Sequence, residues 1–192
     1  HDAVLDAHQK LPDDYPPITD QELREAVQNL ARGAALCREA GFDGVDLKAC
    51  HLYLYSEMLG VVDRPGPYGG PFENRIRLML ETVDAAREKV GRDYILACRM
   101  NFHDNTAGRW GNDENGQPDF TEPLQLMGEL VARGERLFNI TMGTPYYNPH
   151  VNRPYATGGY VPPEPPLAGV ARLQSGVRAA QAAYPQVVCV GT

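Results

Sequence analysis

A short stretch from Gly41 to Tyr53 concentrates side chains that can carry out acid–base chemistry. Lys48, His51 and Tyr53 follow one another closely there, just after a short apolar strand predicted over residues 45–47. A phenol can protonate a carbanion in a dry pocket, and an imidazole can polarise a carbonyl oxygen. Lys48 adds positive charge where an enolate or a reduced cofactor would be negative. An α/β barrel places its reactive groups at such rigid strand ends, although a solvated lysine and a buried core histidine fit the same pattern.

A second candidate group lies at the ends of later strands. Arg99 closes an apolar strand, and a guanidinium buried there needs an anionic or carbonyl partner because an unpaired buried charge is very costly. Either the Asp46 carboxylate or a bound anion would serve as that partner. Gly191 and Thr192 follow the last hydrophobic strand, where backbone amides can face a phosphate. Any turn after a strand can begin with glycine, so this second signal is weak alone.

Metal binding receives little support from the sequence, and we predict no metal site. The four cysteines show no CxxC spacing, and only Cys50 lies beside a candidate site. His103 and Asp104 fall in a polar loop, which we interpret as solvated rather than ligating. Tyr146 and Tyr147 belong to a proline-rich loop, where they either roof a pocket or pack the loop itself.

Helices and short strands alternate strictly along the chain. A capping box at Thr19 begins the first helix and Gly41 ends it. The second helix runs from about residue 72 to Gly91, and the third from a cap at Thr121 to Gly134. A proline-rich loop over 143–166, predicted to lack regular structure, precedes a fourth helix. Strands are predicted at residues 45–47, 94–100, 137–142 and 187–190, and the fourth helix at 167–183. This order predicts a parallel α/β sheet, but it does not by itself separate a barrel from an open doubly wound sheet.

Composition limits the function classes. The 192 residues carry a formal net charge of −7, which argues against nonspecific nucleic-acid binding. No apolar run is long enough to cross a membrane, and the start has no signal-peptide shape. The chain is shorter than the roughly 250 residues of a complete barrel and does not begin with Met, so we expect it to be part of a longer protein. Scattered cysteines without a disulfide pattern favour a cytoplasmic location.

The sequence resembles the old yellow enzyme family of FMN-dependent NAD(P)H:flavin oxidoreductases, which includes ene-reductases and a 2,4-dienoyl-CoA reductase branch. The resemblance is carried by residues 40–46, 51–54 and 68–75 and by the strand that closes on Arg99. The run Tyr-Gly-Gly-Pro-Phe-Glu-Asn-Arg at 68–75 is its most specific part. The resemblance implies a TIM (β/α)8 barrel whose middle and later βα units this chain covers. Residues 1–192 would then be part of a single FMN-binding barrel domain.

The resemblance also implies roles for individual residues. The family's two donors to a substrate carbonyl fall at Lys48 and His51, and its proton-donating tyrosine at Tyr53. Arg99 matches the arginine beside the flavin, and Gly191 with Thr192 falls where binding of the FMN phosphate begins. Lys48 departs from the family's usual histidine. A lysine there favours either an anionic substrate or a contact with the flavin.

The implied reaction is transfer of hydride from NADH or NADPH through FMN to an activated alkene. The alternatives are a flavin-dependent amine or alcohol dehydrogenase or demethylase, and a flavin-free, non-catalytic barrel fragment. We interpret the motif over 73–75 as architectural. We expect a small-molecule substrate, no nucleic acid and no membrane, and we leave homo-oligomerisation open.

Overall fold

The computed structural model describes residues 6–7, 9–12, 14–106, 109–146 and 148–191. Within these ranges, four strands form one parallel sheet in the order β1-β2-β3-β4. The strands are β1 (Gly44–Ala49), β2 (Ile95–Asn101), β3 (Leu137–Thr141) and β4 (Val188–Gly191). The helices are α1 (Asp20–Glu39), α2 (Leu54–Leu59), α3 (Phe72–Arg75), α4 (Arg77–Val90), α5 (Thr121–Ala132), α6 (Pro149–Asn152) and α7 (Pro166–Ala183). The predicted alternation of helices and strands is confirmed.

Among the residues that the structure describes, helices pack against one face of the sheet. The side chains of that face are buried: Leu47, Ala49, Leu96, Cys98, Met100, Phe138 and Ile140. The strands also follow one another in chain order, so each crossover steps in the same direction. In a doubly wound sheet, the strand order reverses direction once and helices cover both faces. In a barrel, the strand order continues in one direction and helices cover only the outer face. The chain therefore forms consecutive βα units of an α/β barrel, and its open face corresponds to the barrel interior.

Local signals explain how the helices begin and end. Thr19 and Glu22 form the predicted capping box: the Thr19 amide donates to the Glu22 carboxylate at 2.7 Å, and the Glu22 amide donates to the Thr19 hydroxyl at 3.2 Å. Gly41 and Gly91 follow α1 and α4 with φ values of 86° and 72°, which favour glycine. No described helix is long and apolar enough to cross a membrane.

Three sequence predictions about these elements need correction. Thr121 is not a cap but the first residue of α5, and its amide donates to the Asp119 carboxylate at 2.9 Å. The second predicted helix is two helices, α3 and α4, separated by Ile76. The proline-rich loop contains α6, because proline is well tolerated in the first turn of a helix, where its missing N–H costs nothing.

The motif over 73–75 is architectural at Arg75, as predicted. Its guanidinium is buried and donates to the Leu59 and Gly70 carbonyls and to the Glu122 carboxylate. The loop after β1 is thereby tied to the start of α5. This anchoring positions the end of β1, where the candidate residues lie.

An ion pair between Arg87 and Glu135 joins the amino-terminal ends of β2 and β3. Two guanidinium nitrogens each donate to a Glu135 oxygen at 2.8 Å, and a third donates to the Gly91 and Tyr94 carbonyls. The Glu135 side chain is fully buried. Removing one member of a buried pair leaves the other charge uncompensated.

Glu135→Ala is therefore expected to lower the free energy of unfolding by about 3–5 kcal/mol, measured by urea denaturation. The matched control is Glu129→Ala, since Glu129 forms a half-exposed pair with Arg133 one helical turn away. That control is expected to cost about 0.5 kcal/mol or less. Equal losses in the two variants would show that the Arg87–Glu135 pair does not hold the strand ends.

Candidate active site

The open face of the sheet carries two cations side by side. Lys48 of β1 and Arg99 of β2 are register partners, so their side chains project from the same face. Asn139 of β3 continues this row beyond Arg99. Lys48 is exposed and Arg99 is half-buried. The parallel pairing thus brings together two residues that lie 51 positions apart in the sequence.

The backbone turns sharply just after β1. His51 and Leu52 have φ values of 65° and 54°, in the left-handed region that costs residues other than glycine about 1–2 kcal/mol each. The Thr144 hydroxyl donates to the His51 carbonyl at 3.3 Å, and the Leu52 amide donates to the Ser56 hydroxyl at 3.3 Å. Such strain persists only where surrounding contacts maintain it, and it clusters at functional sites.

The imidazole of His51 is buried and held by Asn152 of α6. Asn152 Nδ2 lies 3.1 Å from His51 Nε2 and 3.1 Å from the Met142 carbonyl oxygen. The carbonyl can only accept, so the Asn152 atom facing it is the amide nitrogen, which can only donate. The same nitrogen lies 3.1 Å from the Thr141 hydroxyl, so its two hydrogens are shared among three acceptors. Because this nitrogen cannot accept, a proton on His51 Nε2 would have no acceptor there, and the neutral ring carries its proton on Nδ1.

Electrostatics keep this imidazole neutral. Burial lowers the pKa of His51 to about 4, and the positive charges of Arg99, Lys48 and Arg153 act in the same direction. The ring is then uncharged at neutral pH, and its Nδ1–H remains able to donate. The alternative that His51 is a buried core histidine is thus correct about its burial. His51 also lies within electrostatic range of Lys48 and Arg99 on the open face.

Tyr53 stands next to Lys48 at the rim of the same site. The Lys48 ammonium lies 3.4 Å from the centroid of the Tyr53 ring, a cation–π contact. The Tyr53 ring is half-exposed, and its hydroxyl is hydrogen-bonded to that of Tyr146. This bond raises the pKa of the Tyr146 phenol, with a smaller contribution from burial. Tyr146 therefore contacts a candidate site residue rather than only packing the loop; whether it roofs a pocket stays a prediction, and Tyr147 lies outside the described residues.

Arg99 does not form an ion pair with Asp46. Its Nε is buried and has no hydrogen-bond partner in the described part of the chain, and the same is true of Asn139 Oδ1 beside it. Asp46 lies two residues before Lys48 on β1. Partial burial raises the pKa of its carboxyl group, and the positive charge of Arg99 acts in the opposite direction. A donor and an acceptor without partners thus lie next to each other on the open face.

Gly191 ends β4, two strands away from Arg99, with Ile140 as its register partner. It lies at the carboxyl edge of the sheet, and its role in phosphate binding remains a prediction. Thr192 lies outside the described residues. The structure therefore brings together Lys48, His51, Tyr53 and Arg99, and it places Gly191 at the same edge of the sheet.

The interpretation of His103 and Asp104 as solvated is wrong. Both side chains are buried; His103 Nδ1 lies 3.3 Å from the Gly111 carbonyl, and Asp104 accepts from the Asn101 amide. Burial also raises the pKa of the Cys50 thiol to about 11, which leaves it protonated and unreactive. No group of three or more metal-ligating side chains occurs among the residues that the structure describes.

A separate cavity of about 730 Å³ lies between α2 and residues 15–18. Leu54, Met58 and Val61 contribute to its wall, whereas Lys48, His51, Tyr53 and Arg99 do not. The candidate residues instead occupy the open face of the sheet.

Asn152 is a site residue that the sequence analysis missed. It lies 101 positions from His51 in a loop predicted to be irregular, so no spacing connects the two. The one available signal was the proline at position 149, which starts the short helix that carries Asn152.

Comparison with known proteins agrees with this geometry. The sequence profile of the NADH:flavin oxidoreductase / NADH oxidase family matches residues 6–145. This chain belongs to that family. The predicted resemblance is therefore confirmed.

Individual relatives cover the chain only in part. An N,N-dimethylglycine/sarcosine dehydrogenase from Chromohalobacter salexigens is 35% identical over 85 residues, which are 43% of this chain and 12% of the relative. An NADH oxidase from Thermoanaerobacter brockii is 32% identical over 128 residues, 66% of this chain and 18% of the relative. A solved structure of morphinone reductase in complex with tetrahydroNAD is similar with a TM-score of 0.53 at 28% identity, over 64% of this chain and 33% of that one. The chain thus spans about a third or less of the length of these proteins.

The contact between Asn152 and His51 leads to a prediction about proton position. In the wild-type protein, ¹⁵N NMR of labelled histidine is expected to show His51 as the neutral Nδ1–H tautomer down to about pH 5, since its pKa is about 4. Asn152→Asp replaces the donor with a carboxylate, which is expected to move the proton to Nε2 and raise the pKa by about 1–2 units.

Asn29→Asp is the matched control, because Asn29 is exposed on α1 and the substitution adds the same charge. The control should leave the His51 signals unchanged. An Nε2–H tautomer in the wild-type protein would contradict the assignment of the Asn152 contact.

Proposed function

We propose that this chain is part of a single FMN-binding barrel domain of an oxidoreductase. In this proposal, hydride passes from NADH or NADPH by way of FMN to an activated alkene. The observation that carries the proposal is the convergence of Lys48, Arg99, His51 and Tyr53 at the carboxyl end of one parallel sheet. Family membership supports the flavin, and the morphinone reductase complex with tetrahydroNAD supports a nicotinamide reductant.

The open face fits the edge of a flavin ring. A planar heteroaromatic edge that both accepts and donates hydrogen bonds needs a matching donor and acceptor. Arg99 Nε and Asn139 Oδ1, adjacent and without partners among the described residues, supply this pair. Arg99 would hold FMN there, and Gly191 with Thr192 would face its phosphate. FMN, when bound, supplies the hydride chemistry that no protein side chain offers.

The chain's own residues then have distinct roles. His51 Nδ1–H and the Lys48 ammonium bind the activating oxygen of the substrate and stabilise the negative charge that develops on it. Tyr53 holds a proton for the α-carbon, and Tyr146 positions the Tyr53 hydroxyl. Asn152 keeps the imidazole in one tautomer, so its donor does not reorient during the reaction.

Partners and location are proposed on the same basis. A small-molecule substrate fits a site built from one cluster of acid–base side chains. A cytoplasmic location is proposed from the four free, scattered cysteines. The dehydrogenase from Chromohalobacter salexigens supports oxidation of an amine as a second candidate. The positive charges of Lys48 and Arg99 disfavour a cationic amine, so we rank alkene reduction first.

Tyr53→Phe tests the proposed proton donor. The variant is expected to slow alkene reduction by about 10²–10⁴-fold, because the carbanion loses its proton source. The rate at which NADPH bleaches the flavin absorbance should remain unchanged, since Tyr53 takes no part in that half-reaction. Stopped-flow absorbance measures both rates.

Tyr184→Phe serves as the control, since the Tyr184 hydroxyl donates to the Leu124 carbonyl on the helix-covered side of the sheet. It should leave both half-reactions intact. Equal losses in the two half-reactions of Tyr53→Phe would remove Tyr53 from the proposed role. A purified protein that remains colourless and ignores added FMN would instead favour the flavin-free alternative.

A further inference from the structure

Two phenols from distant parts of the chain meet at the rim of the candidate site. The hydroxyls of Tyr53 and Tyr146 are hydrogen-bonded, although the two residues lie 93 positions apart in the sequence. Their ring centroids are 5.8 Å apart, and the ring planes are inclined by 56°. A phenol can both donate and accept, so the contact alone leaves the direction of this hydrogen bond open.

A buried threonine fixes the position of Tyr146. The Thr144 hydroxyl donates to the His51 carbonyl at 3.3 Å and accepts from the Tyr146 amide at 3.4 Å, and Thr144 is only 1% exposed. One hydroxyl thus joins the backbone of Tyr146 to the turn that carries His51 and, two residues later, Tyr53. The contact between the two phenols therefore belongs to the same set of contacts that holds the left-handed turn after β1.

The proton count decides which hydroxyl donates. A phenol has one proton, and in the proposed function Tyr53 directs its proton at the α-carbon of the substrate. Tyr53 can then only accept from Tyr146. The hydrogen bond raises the pKa of the Tyr146 phenol, which keeps Tyr146 protonated as a donor. The Lys48 ammonium, 3.4 Å from the centroid of the Tyr53 ring, places a positive charge on the accepting side of the pair.

We propose that Tyr146 donates a hydrogen bond to the Tyr53 oxygen and stabilises the phenolate that forms there when Tyr53 gives up its proton. The inference rests on the proposed alkene reduction and adds charge stabilisation to the positioning role of Tyr146. A hydrogen bond to an ionised oxygen is about twice as strong as one to a neutral oxygen. The contact therefore strengthens as the proton leaves, and only such an interaction accelerates the step.

Atoms and charges balance in this step. The β-carbon receives a hydride with its electron pair, and the former π electrons reside on the α-carbon and its activating group. The α-carbon forms a bond to the Tyr53 proton, the O–H bond breaks, and its electron pair stays on the Tyr53 oxygen. That phenolate then takes a proton from solvent, so one turnover consumes one reduced nicotinamide and one proton. Tyr146 keeps its own proton throughout.

The test changes the acidity of the Tyr146 hydroxyl without removing it. In the purified flavin-loaded protein, 3-fluorotyrosine at position 146 supplies a phenol of nearly the same size that is a stronger acid and a stronger donor. At about pH 6, where tyrosine and its fluorinated form are both protonated, it is expected to raise the rate of trans-2-hexenal reduction about 2- to 5-fold. Tyr146→Phe should lower that rate about 10- to 100-fold, the loss of one hydrogen bond to a charged group. Stopped-flow absorbance should show unchanged flavin reduction by NADPH in both proteins.

Tyr155→Phe is the matched control, because Tyr155 lies in the same proline-rich segment and is also hydrogen-bonded to another tyrosine, Tyr160. It should leave both half-reactions unchanged. A slower reduction of hexenal with 3-fluorotyrosine would show that Tyr146 accepts from Tyr53, and it would overturn the inference. Equal rates in the wild-type, fluorinated and Tyr146→Phe proteins would also overturn it, because Tyr146 would then only fill space.

A second measurement tests the contact itself, without turnover. ¹³C NMR of the protein labelled at the tyrosine ζ-carbons should show Tyr146 with a pKa above that of an ordinary phenol. Tyr53→Phe should bring this pKa down, because the hydrogen bond is the largest cause of the increase. A Tyr146 titration that Tyr53→Phe leaves unchanged would overturn the inference. A contact that NMR confirms, in a protein whose alkene reduction survives Tyr53→Phe, would overturn the proposed proton donor and the role of Tyr146 together, and it would separate that failure from absence of the contact.

Discussion

The parallel pairing of β1 with β2 is the constraint on which the candidate site depends. It places Lys48 beside Arg99 and leaves both on the face of the sheet that the helices do not cover. A shift of β1 by one residue relative to β2 would turn Lys48 toward the helix layer, where a charged group cannot be hydrated, and would separate it from Arg99. The apolar set on the other face, from Leu47 to Ile140, holds the register in place. The packing of apolar side chains on the covered face thus keeps the two positive charges of Lys48 and Arg99 together on the open face.

Loop residues supply the rest of the candidate site, next to the strand residues Lys48, Arg99 and Asn139. His51 and Leu52 adopt left-handed backbone conformations, and Thr144 and Asn152 contact His51 from the segment after β3. The buried imidazole is kept neutral by burial and by neighbouring cations, so it donates from one defined nitrogen. The cost of strain and of crowded positive charge is consistent with a site that is organised before its ligands arrive.

Much of the fold could be predicted from the sequence because its signals are local. The capping box at Thr19, the glycines at positions 41 and 91 and the apolar strands each act within a few residues. The choice between barrel and open sheet could not be made in this way, since it depends on which face the helices cover. The family motif supplied that answer by resemblance, and the covered face agrees with it.

The candidate site was predictable where its residues lie in one stretch or match a motif. Lys48, His51 and Tyr53 are close in sequence, and Arg99 ends a recognisable strand. Asn152 was missed because its contact with His51 spans 101 positions. His103 and Asp104 were misjudged because a polar segment can be buried when Asn101 and the Gly111 carbonyl satisfy it, and composition does not reveal such partners.

The central claim is that a flavin ring lies on the open face, with its polar edge at Arg99 and Asn139. The most direct measurement is a crystal structure of the purified protein with bound FMN. The account predicts that the Arg99 guanidinium and the Asn139 side-chain oxygen each lie within hydrogen-bond distance of the ring, below Lys48, His51 and Tyr53. A flavin bound elsewhere, or an open face filled by protein side chains, would contradict it.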